Sequence, residues 1–123
     1  MDKRISDAEW EVMEALWSSA GPLTATEVAQ RVPGERDWSL PTVKTMLSRL
    51  MTKGAVDHRK DGRRFLYSPA IVRDDYLGNE SRRFVDRMFG GKLSPLVARL
   101  ADEDALTDED IAEVERLLRE LKK

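Results

Sequence analysis

Cysteine is absent from this 123-residue chain, which removes disulfides, thiolate nucleophiles and cysteine-based metal sites together. A reducing cytoplasm suits that composition. Histidine occurs once, as His58. A lone imidazole cannot build a zinc site without cysteines or a carboxylate cluster. Nor does any serine sit in a nucleophile elbow for it to serve as base. The run Asp102, Glu103, Asp104, Asp108, Glu109, Asp110 lacks the alternating ligands and central glycine of a calcium loop. We expect no enzyme, no metal and no cofactor. Long hydrophobic runs are missing as well, and no stretch approaches the ~18 apolar residues of a membrane span. Met1-Asp2-Lys3-Arg4 leads into no apolar segment, so neither membrane insertion nor a signal peptide is expected.

What is present is 41% hydrophobic and 36% charged, enough apolar surface for a core and enough charge to solvate one face of each helix. Such a length suits one compact domain, or a small domain with a helical appendage. Repeats and low-complexity tracts do not occur. The net charge of −2 conceals a segregation. Residues 1–35 hold three Lys/Arg against seven Asp/Glu, whereas residues 36–67 hold eight against three. Residues 68–100 hold six against four, and residues 101–123 four against nine. Screening confines a field to roughly 8 Å at physiological salt, so this basic island in an acidic chain acts locally and suits an anionic partner.

Ser6-Asp7-Ala8-Glu9 has the form of a capping box and predicts a first helix burying Val12, Met13, Leu16 and Trp17 before Ala20-Gly21-Pro22. Thr24-Ala25-Thr26-Glu27 repeats that form for a second, whose small apolar face is Ala25, Val28, Ala29 and Val32. A third helix is predicted after Ser39 as cap, with Pro41 in its first turn, an inward stripe of Val43, Met46, Leu47, Leu50 and Met51, and Gly54 just past its end. Its other face carries Thr42, Lys44, Thr45, Ser48, Arg49 and Thr52, and no acid.

Alternation then replaces the helical period. Ala55 to Tyr67 predicts a β-hairpin about Asp61-Gly62 as a two-residue turn. In that register Val56 faces Tyr67, His58 faces Phe65, Arg59 faces Arg64 and Lys60 faces Arg63. Two like-charged pairs across a ribbon are each unfavourable by a few tenths of a kcal/mol, unless a polyanion binds there. Ser68-Pro69 is expected to open a fourth helix running to about Phe89, stopped by Gly90-Gly91. Ser94-Pro95 would start a short fifth. Thr107 caps a sixth, where Asp108, Glu109 and Asp110 favour the positive end of the helix dipole. Its stripe of Ile111, Val114, Leu117, Leu118 and Leu121 is too apolar for solvent and must pack on the fourth helix, on a second copy of the chain, or on both.

Three helices followed by a basic hairpin is the order of a winged helix-turn-helix. The expected fold is therefore mainly α: a winged helix-turn-helix over residues 1–69, then a helical dimerisation region over 70–123. The third helix would read the major groove and the hairpin, or wing, would grip flanking phosphates of double-stranded DNA. Candidate DNA contacts are Ser39, Thr42, Lys44, Thr45, Ser48, Arg49, Lys53, Arg59, Lys60, Arg63 and Arg64. Candidate dimer contacts are Ile71, Leu77, Phe84, Met88, Leu96, Leu100, Ile111, Val114, Leu117, Leu118 and Leu121. The residues leave a second reading open, a winged-helix module that docks an acidic protein and never touches DNA.

The runs Ser6-Asp7-Ala8-Glu9-Trp10-Glu11-Val12-Met13 and Trp38-Ser39-Leu40-Pro41-Thr42-Val43-Lys44-Thr45-Met46-Leu47-Ser48-Arg49-Leu50 resemble the BlaI/MecI penicillinase-repressor family. So do Lys53-Gly54, Arg64-Phe65-Leu66-Tyr67-Ser68-Pro69, Gly90-Gly91 and Leu106-Thr107-x-x-Asp110-Ile111. The resemblance covers nearly the whole chain. It implies a homodimeric repressor on an inverted-repeat operator, and often a partner membrane sensor with a metallopeptidase domain. The family's copper-responsive branch carries a C-terminal cysteine cluster, which this chain lacks. Its β-lactam-responsive members are cut at an Asn-Phe bond, and the aligned pair here is Arg99-Leu100.

Overall fold

The computed structural model describes residues 4–34 and 37–123. Met1-Asp2-Lys3 and Arg36, which enter the charge and leader readings above, lie outside the described residues, as does Glu35. The element order is α1 (Asp7–Trp17), α2 (Ala25–Arg31), α3 (Leu40–Thr52), β1 (Val56–Asp61), β2 (Arg64–Pro69), α4 (Arg73–Phe89), α5 (Leu93–Asp102) and α6 (Asp108–Leu121). The chain divides into two compact units, Met1–Tyr76 and Leu77–Lys123.

Local chemistry sets the first unit's helix ends. Ser6 and Thr24 close reciprocal capping boxes with Glu9 and Glu27, so two otherwise orphaned N–H groups are satisfied at each start. Ser39 caps α3 by accepting from the Thr42 N–H. At the far end Gly54 adopts φ 79°, and the Gly54 and Ala55 N–H groups return to the Met51 and Leu50 carbonyls at 3.0 and 2.9 Å. That left-handed cap turns the chain out of the helix and into β1. The core lies between the three helices and the hairpin base. Val12, Met13 and Leu16 meet Val28, Val43, Leu47, Leu50 and Val56, all buried. Leu23, between α1 and α2, is buried with them.

The first turn of α4 is fastened to α1. Tyr76 Oη accepts from the Ile5 N–H at 2.9 Å, and its ring lies 5.7 Å from that of Trp10. Arg73 reaches Glu14 Oε1 at 2.7 Å and covers the Trp10 ring, while Trp17 Nε1 donates to the Ile71 carbonyl.

The hairpin departs from the expected register. Its partners are Val56–Pro69, His58–Tyr67, Arg59–Leu66, Lys60–Phe65 and Asp61–Arg64, and the turn centres on Gly62-Arg63. Gly62 has φ 66° and Arg63 does not share the positive sign, so glycine takes the one left-handed position of the turn. The shift is two residues. It leaves the same side chains on each face but abolishes both opposed cation pairs, and Arg64 instead bonds Asp61 Oδ2 at 3.2 Å.

Ser68-Pro69 ends β2 rather than opening α4, because the ladder persists to the Ala70 N–H, which donates to the Ala55 carbonyl at 2.8 Å. Ile71 precedes α4 and packs against the core of the first unit, not along the helix face on which the sequence pattern put it. Likewise α5 begins at Leu93, with no side-chain cap on its first turn, one residue before Ser94-Pro95.

In the second unit, Gly90 and Gly91 adopt φ 60° and 83° and end α4. Thr107 and Asp110 cap α6 reciprocally. No residue of α4, α5 or α6 is buried, and these helices scarcely pack on one another. Phe84, Met88, Val97, Ile111, Val114, Leu117, Leu118 and Leu121 stand exposed. Among the described residues no helix is long and apolar enough to cross a membrane.

Candidate nucleic-acid interface

The outward face of α3 carries Thr42, Lys44, Thr45, Ser48 and Arg49, at most half-buried, opposite the buried Val43, Leu47 and Leu50. Helical spacing of three and four places these donors on one strip with no carboxylate among them. Ser39 and Thr42 share a hydroxyl hydrogen bond at 3.0 Å, and Thr45 donates to the Pro41 carbonyl at 3.0 Å. Among the described residues, Lys44, Arg49, Arg59, Lys60 and Arg63 have no carboxylate partner. Their charge is available to an external anion.

Helix and wing converge. A single recess is lined by Thr26 of α2, Leu40 and Lys44 of α3, and Arg63, Arg64, Phe65 and Tyr67 of the wing. Two backbone hydrogen bonds hold the wing against this edge, from the Leu23 N–H to the Tyr67 carbonyl at 2.9 Å and from the Tyr67 N–H to the Leu23 carbonyl at 2.7 Å. Arg59 and Lys60, being adjacent on β1, project to opposite faces of the ribbon near its tip. His58 stacks 4.8 Å from Phe65 and lies 2.8 Å from Met51 Sδ. The Glu27 carboxyl is held below its ordinary range, chiefly by the Thr24 backbone N–H, then by the Thr24 hydroxyl, and to a smaller degree by Arg64 and Arg31.

Lys53 does not join this surface. Its Nζ donates to Glu9 Oε1 at 2.5 Å and to the Arg4 carbonyl at 2.7 Å. Glu9 is 2% exposed. Burial alone pushes its carboxyl up, but the hydrogen bonds from Lys53 and the Ser6 N–H, with the Lys53 charge, outweigh this and lower it. The sequence shows Glu9 only as half of a capping box. Its second role depends on the start of α1 meeting the end of α3, 44 residues away, and no local pattern signals that.

Three packed helices, a carboxylate-free third helix and a basic hairpin bonded back to the α1–α2 connection define a winged helix-turn-helix DNA-binding domain. The chain belongs to the penicillinase repressor family, whose family model matches residues 5–120. It is 39% identical to the penicillinase repressor of Bacillus licheniformis over 97% of this chain and 92% of that one. The solution structure of the DNA-binding domain of the repressor BlaI superposes with a TM-score of 0.53 at 43% identity, covering 60% of this chain and 89% of that one. The monomeric form of Bacillus licheniformis BlaI in complex with the blaP half-operator matches at 44% identity and a TM-score of 0.50, over 59% and 88%. The protein is thus a DNA-binding repressor and not an enzyme.

Proposed function

We propose that this repressor binds an inverted-repeat operator as a homodimer, with α3 in the major groove and the wing on the adjoining backbone. The recess shared by Lys44, Arg63 and Arg64 carries the reading, because it sets helix and wing cations about one space with no carboxylate among its described lining residues. Thr42, Thr45, Ser48 and Arg49 would supply contacts to base edges, while Ser39 and Lys44 at the helix start, with Arg59, Lys60, Arg63 and Arg64 on the wing, would supply phosphate contacts. The half-operator complex of BlaI supports binding to operator DNA.

Dimerisation is assigned to residues 70–123. The support is that α4 to α6 bury nothing in one chain, while α6 exposes Ile111, Val114, Leu117, Leu118 and Leu121. Leu77, Phe84, Met88, Leu96 and Leu100 extend that apolar surface over α4 and α5. Two half-sites would lie ~34–36 Å apart, one helical turn of DNA. Loosening the dimer would release the operator, and a membrane sensor peptidase cutting at or near Arg99-Leu100 on α5 is the route that the family resemblance suggests.

Selection from a random duplex library tests the reading. The full chain is expected to enrich a palindromic sequence and to hold it against excess random duplex. Binding with no preferred sequence would overturn operator recognition and favour docking of an acidic protein.

A further inference from the structure

We infer that Glu9 is a specificity-determining residue that withholds Lys53 from DNA; this rests on the DNA reading above. Lys53 is the C-cap residue of α3, and its sequence position puts it among the phosphate-gripping cations. An ammonium free to reach the duplex from the end of α3 would meet sugar-phosphate and read no bases. Such a contact strengthens binding to every duplex alike and therefore erodes discrimination. The structure ties that charge down. Two of the three ammonium protons are directed to Glu9 Oε1 and the Arg4 carbonyl, and Glu9 is itself fixed by the Ser6 N–H at 2.8 Å.

The restraint is strong because both partners suffer if it breaks. Glu9 is 2% exposed and its Oε2 has no hydrogen-bond partner among the described residues, so loss of Lys53 would leave a buried carboxylate with little compensation. Lys53 stays with the acid that needs it. The recognition helix therefore presents Lys44 and Arg49 outward, while its C-cap Lys53, half-buried, is turned to Glu9.

The test is the salt dependence of binding to the selected operator and to random duplex, measured for the full chain. Each phosphate contact adds about 0.9 to the magnitude of the slope of log K against log salt on duplex DNA. Glu9→Gln keeps the shape but removes the charge that holds Lys53. Its slope is expected to steepen by about 0.9 per subunit, with tighter binding to random duplex and a smaller operator preference. Lys53→Met is expected to leave the wild-type slope unchanged, and Glu9→Gln/Lys53→Met to restore it. The inference is overturned if Lys53→Met flattens the slope by about 0.9 per subunit, or if Glu9→Gln leaves slope and preference as they were. Should Glu9→Gln fail to fold, the Lys53→Met slope still decides. Loss of operator preference in the unaltered protein would instead overturn the DNA reading, and this inference with it.

Discussion

Leu23 and Tyr67 exchange two backbone hydrogen bonds, at 2.9 and 2.7 Å, although 44 residues separate them. The pair ties the second strand of the wing to the α1–α2 connection, so the hairpin is not a free ribbon. Two-stranded hairpins are marginal alone, and this bridge adds a third partner where the wing leaves the body. Leu23 is also buried in the core, which makes one residue both packing and anchor.

Leu23→Ala should therefore lower the free energy of unfolding by about 2–5 kcal/mol, the usual cost of deleting a buried leucine side chain. Urea denaturation checks it. A loss below 1 kcal/mol would show that the site collapses onto the gap, and that the anchor is held by the backbone alone.

The two arginines at the wing tip are not equivalent. Among the described residues Arg63 has no carboxylate partner, whereas Arg64 lies 3.2 Å from Asp61 and also acts on Glu27. Arg63→Ala is expected to flatten the salt slope of operator binding by about 0.9 per subunit. Arg64→Ala should have the smaller effect, because part of its charge already serves Asp61. Fluorescence anisotropy across a salt series measures both, and equal effects would mean that the Asp61 pair opens on DNA.

Much of this was legible in the sequence. Capping boxes at Ser6 and Thr24, the cap at Thr107 and the left-handed residue at Gly54 are encoded within four residues, and the structure has each of them where the pattern puts it. The core stripes follow from helical spacing in the same way. The hairpin register was not legible, because Asp61-Gly62 and Gly62-Arg63 both offer a glycine for the left-handed position. The fate of Lys53 was hidden for another reason. A lysine beside threonines and arginines reads as a phosphate ligand until the tertiary fold brings an acid to it. Ser68-Pro69 misled because serine before proline signals a helix start and a strand end equally well.

Glu9 also predicts an acid dependence. Its folded-state carboxyl lies below the ordinary value of 4.5, so the unfolded chain takes up the proton first as pH falls. The stability it contributes is fully present above that ordinary value and is lost as pH drops through the lower folded value. Wild type should lose stability more steeply than Glu9→Gln between about pH 5 and pH 3, by urea denaturation at each pH. Parallel curves would show that the Lys53 contact does not hold the carboxyl down.

Leu118 is 47% exposed on a helix that buries nothing, and it sits one turn from Val114 and Leu121 on the same stripe. An aspartate there would place a charge at the centre of any apolar interface built on α6, where an unpaired buried charge costs several kcal/mol. Leu118→Asp is expected to sediment as a monomer at concentrations where the unaltered chain is dimeric. The winged domain should be intact, since that residue lies outside the Met1–Tyr76 unit. Affinity for a single half-site should therefore persist while affinity for the full inverted repeat falls at least tenfold, a difference of about 1.4 kcal/mol. A variant that remains dimeric by analytical ultracentrifugation places the interface away from α6; one that is monomeric yet binds the full operator undiminished shows that the two half-sites are read independently.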